Sequence, residues 1–219
     1  MEKILCFINH AINIIFPKVC GICEKIYEND LCKKCEMRLR NISKVKIDNY
    51  NNKNFKKHLY IFKYEGIIKE RLIKFKFGEK AYIYKAFVNF LIKNKKVCRF
   101  LKCYDIIIPV PIHYNRKVTR GYNQSALIAK ELAKKLNIKY EEKVLFKKVN
   151  NKPQSTKNRE DRQQNVIDVY YTENEELIND KKIILLDDIY TTGSTVNECS
   201  KVLKIAGAKE VDIITIAKD

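Results

Sequence analysis

Asp187 and Asp188 follow a short apolar run, Ile183–Leu186, and precede the loop Thr191-Thr192-Gly193-Ser194-Thr195. A bounded apolar run of this length reads as a strand covered on both faces. The loop reads as the entry to a helix. The first N–H groups of a helix have no intrahelical acceptor, and its dipole places partial positive charge there. Such a loop therefore holds a phosphate without a cationic side chain. Gly193 lets the backbone come close to a ligand, and the hydroxyls of Thr191, Thr192, Ser194 and Thr195 add donors. Two carboxylates beside a phosphate repel it, but they suit the hydroxyl groups of a sugar carried by the same ligand. The pattern points to a sugar phosphate, most simply a ribose 5-phosphate.

A second chemistry is written in Cys20-Gly-Ile-Cys23 and Cys32-Lys-Lys-Cys35, two C-x2-C pairs with eight residues between them. Two thiolates in a tight turn can face one metal, and two such turns complete a tetrahedral four-sulfur site. Four protein ligands leave no open position, so the metal, read as zinc, is structural. In a cytosolic chain, paired cysteines favour metal over disulfides. A module this short cannot build its own core, so metal binding should carry its folding. Cys6, Cys98, Cys103 and Cys199 read as small apolar packers.

A third group, Arg116, Lys117 and Arg120, lies in a polar stretch, 113–124, after the apolar strand 105–112. A basic loop at the C-terminal end of a strand stands where open α/β sheets bind ligands, and arginine can grip a pyrophosphate in bidentate fashion. His113 in the same stretch reads as a solvated side chain without a catalytic role.

These residues need a scaffold. The chain has 219 residues, 46% of them hydrophobic, enough for one medium domain with a small appendage. It contains no apolar tract long enough to span a bilayer. The first 17 residues read as an amphipathic helix rather than a signal peptide, which points to the cytosol. Strand 58–64, helices 67–77 and 81–94, strand 105–112, helix 122–136, strand 144–149, strand 166–171, helix 195–206 with a Gly207 cap, and strand 211–216 give an α/β fold with a mostly parallel sheet flanked by helices. Residues 41–57 read as a linker and 173–180 as a solvated turn. Net charge is +18, and residues 53–102 hold 15 lysines and arginines against three acids. This fits a face for nucleic acid or another polyanion; it equally fits a lysine-rich bias, since 36 of the 44 basic residues are lysine. Aromatic residues interleaved with these lysines could stack bases, but their spacing favours core and interface faces.

The stretch 183–195 resembles the phosphoribosyl-pyrophosphate (PRPP) motif of type I phosphoribosyltransferases. The run PVPIHYNRKVTRGYNQSALIAKELA, the FPKVCGIC…CKKC knuckles and YEGIIKERLIKFKFG extend the resemblance, in the right order, to the ComF family of bacterial competence proteins. The resemblance implies a zinc ribbon over 1–45 and a type I phosphoribosyltransferase-like domain over 46–219. Asp187 and Asp188 would hold the ribose hydroxyls, residues 191–195 the 5-phosphate, and Arg116, Lys117 and Arg120 the pyrophosphate with Mg²⁺. A lid in 150–165 would carry Gln154, Arg159, Arg162 and Asn165, of which Arg162 and Asn165 match best. Relatives that salvage 6-oxopurines open the phosphate loop with an acid; Thr191 stands there and cannot act as a base. The resemblance thus implies a PRPP-binding protein that supports DNA uptake, with single-stranded DNA or a DNA-processing protein as partner. The alternative is an active phosphoribosyltransferase with an unknown acceptor.

Overall fold

Strands and helices alternate in the computed structural model, which describes residues 17–77, 80–148 and 169–219. The strands are β1 (Lys46–Asn49), β2 (Lys57–Lys63), β3 (Ile106–Pro109), β4 (Lys139–Tyr140), β5 (Leu145–Lys147), β6 (Tyr170–Thr172), β7 (Lys182–Tyr190) and β8 (Glu210–Lys218). The helices are α1 (Lys33–Ile42), α2 (Gly66–Lys76), α3 (Ile83–Ile92), α4 (Lys95–Leu101), α5 (Tyr114–Arg120), α6 (Gln124–Leu136) and α7 (Ser194–Ile205). Six strands form the central sheet in the order β1-β2-β8-β7-β3-β4, and β5 pairs with β6 in a separate antiparallel ribbon. Every pairing in the large sheet is parallel except that of the edge strand β1 with β2.

Successive side chains on a strand point to opposite faces, and the apolar residues divide accordingly. Ile184, Leu186, Ile107, Ile214 and Ile216 join a core with Phe75 of α2, Phe87 of α3 and Ile128 and Leu132 of α6. Ile183, Leu185, Ile106, Ile108, Val211 and Ile213 face a second core with Cys199 and Leu203 of α7. Helices cover both faces of β7, so its apolar run is continuous rather than alternating. The sheet reads β2-β8-β7-β3 across its middle, so β7 carries its C-terminal residues at the centre of the sheet's edge.

The elements follow the sequence reading in outline, with the short strand β4 added, a 3-10 turn at Glu175–Leu177 followed by the buried Ile178 where a solvated turn was expected, and further differences. First, residues 41–57 are not a plain linker. They contain β1, and the turn behind it is pinned where Asp212 Oδ1 accepts from the N–H groups of Lys56 and Lys57 at 3.0 and 2.7 Å. Tyr104 donates to the other oxygen of that buried carboxylate at 2.6 Å. Second, the polar stretch after β3 folds as α5. Third, the second helix, α3, ends at Ile92, short of the expected residue 94, and a separate helix α4 follows; Asn94 caps it by accepting from the N–H groups of Lys96 and Val97. Fourth, Cys103 is exposed rather than packed, while Cys199 is buried as expected.

The cysteine module does not stand apart from the core. Ile22, Leu31 and Leu39 are buried in the same cluster as Phe62, Ala86 and Phe87. Gly21 approaches α3 so closely that a Cβ there would lie 2.8 Å from that of Ala86. Glu24 gathers Arg71, Lys74 and Lys80, tying the first knuckle to α2 and the start of α3. The module therefore borrows a core as well as offering a metal site. Among the described residues, no helix is long and apolar enough to cross a membrane.

Candidate functional site

Asp187 and Asp188 lie within β7, which runs on to Tyr190, rather than beyond its end. Both are partly exposed. Asp187 Oδ1 accepts from Ser125 Oγ at 3.0 Å and from the N–H of Asp188 at 2.9 Å. Ser125 is held in turn. Its N–H donates to Asn123 Oδ1, and Asn123 Nδ2 donates to the carbonyl of Val110 just past β3. The start of α6 is thus fixed to the β3 end and presents a hydroxyl to the acid. Burial, then the neighbouring Asp188 charge, push the Asp187 carboxyl up to about 7; its two donors and Lys76 only partly offset this.

The loop 191–195 turns directly into α7. Gly193 has φ of 75° and precedes the first helical residue. A Cβ there would strike the Tyr190 ring, so both conformation and space require glycine. Tyr190 is itself stacked on the buried His58, ring centroids 4.3 Å apart. Thr192 Oγ1 accepts from the N–H of Ser194 at 3.3 Å and contacts Ser194 Oγ at 2.9 Å. Gly193, the residue before α7, has no side chain to cap the helix, so apart from the Ser194 N–H held by Thr192 the first turn keeps amides for a ligand. Thr191 is exposed, and Thr192, Ser194 and Thr195 are partly so. The five loop residues thus follow the acid pair on β7 and lead into α7.

The three expected cations separate. Arg120 lies close enough to Asp188 and Arg116 for their charges to act on it, and burial pulls its pKa down. Its Nη1 donates to Gln124 Oε1 at 2.6 Å. Arg116 lies close enough to Lys147 and Tyr170 for its charge to act on them as well. Lys117 instead pairs with Glu142 at 3.2 Å. Gln154, Arg159, Arg162 and Asn165, expected in a lid, lie outside the described residues, as do Cys6 and the rest of the first 16 residues.

Three residues near the acids carry no signal in the motif. Ser125 comes from α6. Lys76, at the end of α2, acts on the Asp187 charge. Lys147 of β5 has its ammonium 5.3 Å from the centroid of the Tyr170 ring; burial lowers its pKa, and Arg116 and Asp187 act on it. Tyr170 in turn bonds the Thr195 side chain. In a chain this rich in lysine, neither Lys76 nor Lys147 stands out by composition.

At the other site, the four Sγ atoms of Cys20, Cys23, Cys32 and Cys35 lie within 4.8 Å of one another and could hold a metal ion. The Cys23 and Cys32 sulfurs are 3.9 Å apart. The N–H groups of Cys32 and Cys35 donate to the sulfurs of Cys20 and Cys32, each at 3.4 Å, as suits sulfur that carries charge. The seven described cysteines form no disulfide.

Comparison with known proteins gives the family. The model of the phosphoribosyl transferase domain matches residues 123–219. Competence protein F of Haemophilus influenzae is 30% identical over 151 residues, covering 66% of this chain and 65% of that protein. The competence protein ComFC of Streptococcus pneumoniae is 30% identical over 161 residues, covering 74% and 68%. The competence protein ComFC of Bacillus subtilis is 26% identical over 223 residues, covering 99% and 85%. The chain thus spans just under two thirds of the Haemophilus protein that it matches.

Proposed function

The chain belongs to the ComF family of competence proteins, and on that premise we propose that it binds PRPP at the end of β7 and serves DNA uptake or processing. One observation carries this reading. A pair of partly exposed carboxylates adjoins a helix N-terminus whose N-cap residue, Gly193, is left-handed and has no side chain to occupy the amides. The acids suit the ribose hydroxyls, the loop amides suit the 5-phosphate, and Arg116, Arg120 and Lys147 suit a pyrophosphate. Lys117 would join them only by leaving Glu142. Mg²⁺ would enter with the ligand, since that ion keeps water and phosphate oxygens around it.

Zn²⁺ suits the four-cysteine cluster, because four sulfurs this close match its preferred tetrahedral set. Its role there is structural. Unpaired cysteines suit a reducing compartment, and we assign the protein to the cytoplasm. We assign single-stranded DNA as the partner on the strength of the family and the net charge of +18.

The reading is of a ligand-binding protein without transferase activity. Thr191 opens the phosphate loop and supplies no base for proton transfer from a nucleobase. An assay for pyrophosphate release from PRPP, run across candidate bases, tests this. No release in the presence of measurable PRPP binding is the expected result. Turnover with any base would establish the transferase instead.

A further inference from the structure

Gln124 opens α6 and is 2% exposed, with both ends of its amide engaged. Its Oε1 accepts from Arg120 Nη1 at 2.6 Å. Its Nε2 donates to the carbonyls of Phe75 and Lys76, both at 3.1 Å. The orientation of the amide is fixed by its partners. A guanidinium can only donate and a carbonyl can only accept, so the opposite flip would lose all three bonds. The two carbonyls belong to the last turn of α2, where a helix leaves acceptors without internal donors. Tyr122 donates to the same Phe75 carbonyl at 2.7 Å, and its ring stacks on that of Phe75.

One buried amide therefore joins the end of α2 to the guanidinium that feels Asp188. The same turn carries Lys76, whose charge reaches Asp187. Without the amide, the Arg120 head loses the Gln124 acceptor and the Lys76 carbonyl loses its side-chain donor, while the Phe75 carbonyl keeps Tyr122. A buried polar group is kept only where it is satisfied, and this one is satisfied by the site itself.

We propose that Gln124 is a positioning residue, which holds Arg120 and the end of α2 in the arrangement that receives the pyrophosphate end of the ligand. This rests on the PRPP reading above. The side chain is specific in length and chemistry. Asparagine is one methylene too short to span the gap, and methionine has the length but neither donor nor charge-bearing acceptor.

The test is calorimetric titration of the full-length protein with Mg·pyrophosphate and, separately, with ribose 5-phosphate. The proteins are wild type, Gln124→Met, Arg120→Ala and the double variant. We expect Gln124→Met to weaken pyrophosphate binding about tenfold while ribose 5-phosphate affinity stays within about twofold. Adding Gln124→Met to Arg120→Ala should cost no further pyrophosphate affinity, because the two act as one unit. Should the methionine variant not fold, Gln124→Asn is expected to give the same split between the two ligands. Unchanged pyrophosphate affinity, an equal loss for both ligands, or a full further loss in the Arg120→Ala background would each overturn the inference. If wild type binds neither ligand, the PRPP reading itself fails and takes this inference with it.

Discussion

Asp187 receives two hydrogen bonds on one oxygen, yet burial and the Asp188 charge still hold its carboxyl near a pKa of about 7. A carboxyl raised in the folded state binds a proton that the unfolded chain has already lost, so the folded state is favoured most at low pH. The contribution of Asp187 should therefore be fully present below the ordinary aspartate range near pH 4. It should be lost as pH rises toward 7. Thermal melts of the unliganded protein should show this decline, and the Asp187→Asn variant should lack it. Ligand binding should run the other way. Sugar hydroxyls donate better to an ionised acid, so Mg·PRPP affinity should gain across pH 6 to 8 beyond the ligand's own titration, and only when Asp187 is present. Gly193 makes a separate prediction. Gly193→Ala places a Cβ against Tyr190 at a φ of 75° and should destabilise the fold by at least about 1–2 kcal/mol in urea unfolding. Tyr190→Ala in the same chain should restore part of that loss by clearing the space. The acids and the loop were legible in the sequence because they form one contiguous stretch. Ser125, Gln124 and Lys147 were not, because they converge from α6 and β5, and their meaning lies only in what they touch.

At the scale of elements, legibility followed burial. β7, β8 and α6 declare themselves through apolar residues at strand or helix period, because two cores lie against them. β1 does not. It is a four-residue edge strand of sequence KIDN with no fully buried residue, so tertiary pairing alone defines it. α5 has no buried residue either, and without an apolar face it reads as a polar loop. The cysteine knuckles were legible in spacing, but their docking was not. Ile22, Leu31 and Leu39 look like ordinary module residues until the sheet packs against them. That docking changes how the module must be probed. Deleting residues 1–40 would remove three core side chains, each worth about 1.5–3 kcal/mol, so such a deletion should unfold the domain rather than isolate a DNA contact. Point substitution is the cleaner tool. The native protein should carry one equivalent of zinc by elemental analysis, and Cys32→Ser should lose the metal and melt at lower temperature. A metal-free wild type of unchanged melting temperature would show the knuckles to be held by packing alone.

For the whole molecule, charge and fold divide the work. Residues 53–102 are strongly basic, whereas residues 160–219, with the acid pair, hold 13 acids against seven basic residues. A protein of this kind should bind single-stranded DNA with an affinity that falls steeply with salt, because neutralised phosphates release counterions. A shallow salt dependence in filter binding or fluorescence anisotropy would mark the lysines as solvated surface. The proposed small-molecule site lies elsewhere, at the end of the central strand β7 of the sheet. The account depends most on that small-molecule site. The most direct measurement is calorimetric titration of the full-length protein with Mg·PRPP, set beside the Asp187→Asn, Asp188→Asn double variant. Two hydrogen bonds to charged acceptors, each worth about 1.5–3 kcal/mol, predict binding to the wild type and a loss of more than about tenfold in the variant. Equal affinity for both proteins, or no binding to either, would contradict it.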